Sequence, residues 1–188
     1  MGRPTRTNIL VRTFDATTDR QQWQLEWAAT FFTAAVLLHN LDHLRRGAEG
    51  LHGDVFLAGT LSMVLEVGVV AAVFARHRAA PLAAAVVGFS LAAGYVFVHF
   101  TPTRALLSDS LLSWSMPISI VAATLESVSA LILGIVGLSV VRTRGLAAMS
   151  STGAETPLDR DGLRHPVVIA MAAGNAVILM LSLVQYLG

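Results

Sequence analysis

Leu37-Leu38-His39-Asn40-Leu41-Asp42-His43 closes the first long apolar run of this chain, and Val96-Phe97-Val98-His99-Phe100 closes a later one. In both, apolar residues rise to a histidine. Each histidine is followed 27 positions on by a lone glutamate inside the next apolar run: His39 by Glu66, and His99 by Glu126. Read as helices, the two stretches end rising segments whose descending partners carry the acids. That pattern predicts two related helical hairpins facing each other, with a polar site between them.

The composition says in which solvent such hairpins stand. Of 188 residues, 54% are hydrophobic and 13% charged. A soluble domain carries about 25% charged residues, so the chain reads as a polytopic membrane protein with the bilayer as its organising solvent. The net charge of +1 gives no footprint for nucleic acid. The absence of cysteine excludes thiol redox chemistry, disulfides and cysteine-ligated metal. Every basic residue is arginine, so a catalytic or Schiff-base lysine is excluded too.

Five apolar segments reach the roughly 20 residues that a spanning helix needs. They run over about 25–44, 55–75, 81–100, 114–141 and 166–187. Residues 1–22 are polar, with Arg3, Arg6, Arg12 and Arg20, and read as a loosely ordered cytoplasmic tail with no cleaved signal peptide. Trp23 and Trp27 stand where an interfacial aromatic belt belongs. The 142–165 stretch, with Ser150-Ser151-Thr152-Gly153 and Pro157–Gly162, reads as a flexible cytoplasmic linker.

Arginine placement orients the spans. With the N-terminus inside, Arg3, Arg6, Arg12, Arg20, Arg76, Arg78, Arg142, Arg144, Arg160 and Arg164 are cytoplasmic, and Arg45, Arg46 and Arg104 lie outside. The expected architecture is all-α: a pseudo-twofold four-helix core over residues 23–141, plus a fifth helix over 166–188 packed outside it through Ala170 and Gly174. The predicted location is the inner (plasma) membrane. A shift of sixty residues also aligns Thr30 with Ser90, Ala34 with Gly94 and Val36 with Val96, as a parallel internal repeat would.

Helical spacing places the polar residues on faces that can converge. Ala35, His39, Asp42, His43 and Arg46 share a side of the first helix, and Gly59, Ser62 and Glu66 a side of the second. Ala85, Gly88, Ala92, Tyr95 and His99 share a side of the third, and Ser119, Ala122, Glu126 and Ser129 a side of the fourth. A carboxylate in the bilayer core is costly and reads by default as functional. The bland alternative is a pair of neutral glutamic acids acting as helix glue.

The expected function is cation binding, of metal or proton, in a site open to the outer side, serving transport or metal-assisted chemistry. His39, His99, Glu66 and Glu126 are the first-choice ligands, with Asp42 and His43 as further ligands or supporting groups. Such a set suits zinc, iron or manganese. His39-x-x-Asp42-His43 has the outline of the inverted zinc motif H-x-x-E-H with Asp for Glu, and no protease is inferred from it. Two alternatives stand beside this. His39 and His99 could be axial ligands of haem b, or the chain could be a structural subunit of a membrane complex or homo-oligomer. His52, Asp54 and Asp109 read as solvated loop residues, with a mouth to the site as the alternative, and His77 and His165 read as interfacial.

Overall fold

The computed structural model describes residues 6–47, 53–101, 109–110, 116–145 and 159–187, with backbone alone at 6–18, 53–54 and 186–187. The tail before Arg6, most of the 142–165 linker, His52 and Arg104 lie outside the described residues, as does the Asp54 side chain. The described residues contain helices and no strand. In chain order these are α1 (Arg6–Arg46), α2 (Gly53–Phe74), α3 (Ala80–Phe100), α4 (Pro117–Arg144), the single turn α5 (Arg160–Leu163) and α6 (Pro166–Leu187).

Four of them are long and apolar enough to cross a membrane, over Val55–Phe74, Ala80–Phe100, Pro117–Arg144 and Pro166–Gln185. The chain is therefore a multi-pass membrane protein by composition and length. Helix α1 differs. It begins at Arg6, inside the stretch expected to be irregular, and its 41 residues would extend about 60 Å at 1.5 Å each. Its apolar part is interrupted by Glu26, Asn40, Asp42 and the two histidines. Those groups are met by other helices instead of lipid, because α1 packs against α4, α6 and α2. Its buried stripe of Leu25, Ala28, Ala29, Phe32 and Val36 has the 3–4 spacing of one helix face. Trp23 and Trp27, by contrast, are 59% and 58% exposed and meet edge to face at 5.8 Å.

Lipid tails are as apolar as leucine, so membrane helices hold together by close packing of small residues and by interhelical hydrogen bonds. The α3–α4 contact shows the first device. A Cβ on Gly88 would come 2.5 Å from the Gly134 nitrogen, and one on Gly137 would come 2.5 Å from the Ala85 nitrogen. The two backbones touch there, and only hydrogen fits between them. Sequence reading found Gly88 and Ala85 on α3 but passed over Gly134 and Gly137 on α4.

The ends are fixed by polar side chains. Gln21 of α1 donates to Thr143 Oγ1 (2.8 Å) and accepts from Arg144 Nε (3.0 Å). At the opposite end Arg45 of α1 donates to Ser119 Oγ of α4 (3.1 Å). Helices α1 and α4 thus run antiparallel. Helix α2 ends with Arg76 at φ 50°, where Arg76 N bonds Val73 O and His77 N bonds Ala72 O. This is the paired-bond termination that a left-handed residue makes after a helix. The His165 ring stacks on Phe74 at 4.1 Å, tying the start of α6 to the end of α2.

Helix α6 buries Val168, Met171, Asn175 and Ile178, one face by spacing. Ala170, expected in the packing face, is exposed, whereas Gly174 lies against Leu37. Asn175 carries this helix into the polar interior, so α6 is not a bystander to a four-helix core.

Candidate metal centre

The last two turns of α1, the start of α2, the end of α3, the first third of α4 and the second half of α6 share one end of the bundle. Their polar residues meet about 10 Å below the Arg46 end, counting back to His39 at 1.5 Å per residue. His39, His99 and Glu126 are 2–3% exposed, and His43 is half-buried. The ring centroids of His39 lie 4.5 Å from His43 and 4.6 Å from His99. One nitrogen from each of the three rings lies within 4.8 Å of the others, close enough for one metal ion to reach all three. The histidines that the sequence put at the two helix ends are therefore in one place.

Glu126 completes the group. Its Oε2 lies 3.4 Å from His39 Nε2 and 3.9 Å from His99 Nε2. That oxygen receives no hydrogen bond among the described residues, and neither does His39 Nδ1. Buried polar atoms are nearly always paired, so an orphaned carboxylate oxygen facing two imidazole nitrogens asks what should sit between them. A tetrahedral zinc ion with bonds of about 2.0–2.1 Å sets its ligand atoms about 3.3 Å apart. The His39–Glu126 separation is close to that edge. The donor set of neutral imidazoles and a carboxylate matches zinc, iron or manganese by ligand type.

Outer contacts aim the rings. His99 Nδ1 is 3.3 Å from the backbone carbonyl of Asp109. With Nδ1–H donating there, the Nε2 lone pair faces Glu126, as in histidines whose second nitrogen is held by a carbonyl. Asp109 itself is 3% exposed and accepts from both Arg46 amines, at 3.0 and 2.8 Å. It was expected to be a solvated loop residue. It is instead a buried strut linking Arg46 to His99, and a loop position carries no periodicity that would have revealed it. Arg46 Nη2 also donates to His43 Nδ1 (2.9 Å). In the neutral ring this leaves the proton on Nε2, so His43 is held by a cation as well as standing beside the other two histidines.

The remaining candidates have other partners. Asp42 faces Arg45 at 2.7 Å and Arg46 at 3.1 Å. Both of its oxygens are occupied by guanidinium, so it braces the rim. Glu66 accepts from Tyr95 Oη (2.7 Å) and from Asn175 Nδ2 (3.3 Å), and Asn175 accepts from Asn40 (3.1 Å). The glutamates of the two hairpins thus have different surroundings: Glu126 is with the imidazoles, and Glu66 is in a network of neutral donors. Asn175 was missed, although a lone amide in an apolar run is the same kind of signal that singled out the glutamates.

A cavity of about 200 Å³ adjoins the group. His39, His43, His99 and Glu126 line it, with Asn40 of α1 and residues of α2, α3 and α6. Comparison of the chain with protein-family models, with curated proteins and with solved structures finds no match.

Proposed function

We propose that this chain is a multi-pass membrane protein that binds one divalent transition-metal ion, zinc by first choice, between α1, α3 and α4. His39 Nε2, His99 Nε2 and Glu126 Oε2 are the principal ligands. His43 is a fourth, taken up when Arg46 gives its Nη2 proton wholly to Asp109. The observation that carries this reading is the buried Glu126 oxygen, unpartnered and 3.4 Å from the His39 nitrogen. In this reading α1 is a fifth span, the N-terminus lies on the arginine-rich cytoplasmic side, and the centre opens to the outer side of the plasma membrane.

Haem is less well supported by the same geometry. Axial ligands stand on opposite faces of a macrocycle, yet the His39 and His99 rings are T-shaped at 4.6 Å with the Glu126 carboxylate beside both. A structural role leaves the orphaned oxygen without a reason. Transport and metal-assisted chemistry both remain uses to which such a centre can be put. The test is zinc titration of detergent-purified protein with a competing chelator. Stoichiometric, tight binding that Glu126→Gln and His39→Ala each weaken supports the proposal. Binding that neither substitution changes contradicts it.

A further inference from the structure

The cavity beside the centre is lined in part by exposed residues of α3. Gly94 on α3 and Gly59 on α2 both line it. They stand at the same level of the α2–α3 hairpin, equidistant from its turn at His77 to within one residue. Ser90 and Gly94 also belong to the exposed face of α3. The cavity therefore reaches the flank of the bundle between α2 and α3, about 9 Å inside the Phe100 end of α3. At that depth the flank faces lipid.

These glycines do not serve helix packing. A Cβ on Gly88 or Gly137 would collide with the facing backbone, but a Cβ on Gly59 or Gly94 would meet nothing within 4 Å. Glycine inside a helix is destabilising by about 1 kcal/mol relative to alanine. At Gly59 and Gly94 no close contact explains it. What the missing side chains leave is an opening.

The walls specify what could pass. Val55, Phe56, Met63, Leu91, Val98 and Ile178 give the cavity a mostly hydrocarbon lining, interrupted by the hydroxyls of Thr60, Ser62, Ser90 and Ser182. Its inner end is the cluster of His39, His99 and Glu126, with the unpartnered oxygen of Glu126 buried there. A divalent ion on three imidazoles and one carboxylate keeps one net positive charge. Asp42 and Asp109 are already paired with Arg45 and Arg46. At about 30 Å³ per water-sized group, the cavity holds roughly six or seven such groups. That is room for a head group and the first carbons of a chain, with the remainder lying out between α2 and α3 in the bilayer.

Resting on the metal reading above, we infer that the centre receives a single-chain amphiphile with a carboxylate head, a fatty acid in chemical class, entering sideways from the membrane between Gly59 and Gly94. The head faces the metal, and the chain lies along α2 and α3.

The test uses full-length protein in detergent, the variants Gly94→Phe and Gly59→Leu, cobalt(II) as a spectroscopic metal and radiolabelled hexadecanoate. In the wild type, hexadecanoate binds saturably and shifts the visible bands of the cobalt-loaded protein, while acetate at equal concentration does neither. Each glycine variant binds hexadecanoate at least about tenfold more weakly, a loss of about 1.4 kcal/mol. Its cobalt spectrum before addition is that of the wild type. Failure of the wild type to retain hexadecanoate, or equal retention by the glycine variants, overturns the inference. Retention is read on metal-free and cobalt-loaded protein alike. Absence of a cobalt spectrum counts against the metal centre, while glycine-sensitive retention still reports on the lateral opening.

Discussion

His39 Nε2, near the end of α1, stands 3.4 Å from Glu126 Oε2, one third of the way along α4, and both side chains are 3% exposed. No donor satisfies that oxygen among the described residues. A buried charge with no partner costs several kcal/mol, so the arrangement is reasonable only if a cation or a proton comes to the oxygen. Glu126→Gln removes the charge while keeping the shape. Metal-free protein carrying it is expected to be as stable as the wild type or more so. The stabilisation that zinc brings, about 2.7 kcal/mol at a hundredfold excess over Kd, is lost. Thermal unfolding with and without zinc separates the two effects.

Glu66 behaves differently. Its oxygens are already held by Tyr95 and Asn175. Glu66→Gln should therefore lower zinc affinity much less than Glu126→Gln does. Glu66→Leu leaves two buried donors without an acceptor and should destabilise the fold by about 1–3 kcal/mol for each. Equal loss of zinc affinity in Glu66→Gln and Glu126→Gln would show that the two acids act as one site after all.

His43 should matter less than its neighbours. Because Arg46 donates to its Nδ1, ligation through Nε2 requires that bond to be surrendered. His43→Ala is expected to weaken zinc binding by about tenfold, at the low end for loss of a supporting partner. His39→Ala and His99→Ala should each weaken it by far more. A competition titration on the three variants gives the order directly.

Gly137→Ala tests the scaffold. The added methyl carbon would lie 2.5 Å from the Ala85 nitrogen and 2.6 Å from the Pro81 oxygen. Helices α3 and α4 must part, at a cost of about 1–3 kcal/mol for overpacking. His99 and Glu126 ride on those helices, so zinc affinity should fall along with stability. Unchanged stability would mean that the two backbones are not in contact.

Protons compete with metal for the imidazoles, since only the neutral ring ligates. Zinc binding should therefore weaken as pH falls far enough for these imidazoles to gain protons. Protons should appear in weakly buffered solution when zinc is added at acid pH. Proton release left unchanged in both His39→Ala and Glu126→Gln would place the metal elsewhere.

The residues that decided the fold were legible because a membrane makes polar side chains conspicuous. His39, His99 and Glu126 stood out as rare groups in apolar runs, and helical spacing put them on inward faces. Spacing cannot say which face meets which. Glu66 and Glu126 looked equivalent by their offsets from the histidines, yet one is bound by Tyr95 and Asn175 and the other meets the imidazoles. Gly134 and Gly137 were passed over because a glycine at a backbone contact and one on an open face look the same in a sequence. Asp109 was named, but its role could not be read, since that role depends on its standing against Arg46.

Metal analysis of the purified protein after zinc loading and removal of loosely held ions, combined with X-ray absorption at the zinc edge, tests the central claim most directly. The account predicts one zinc per chain, surrounded by nitrogen and oxygen with multiple-scattering features of imidazole, and lost in His39→Ala and Glu126→Gln. A chain that retains no zinc, or one that purifies with iron and a haem absorption band abolished by His99→Ala, would contradict it.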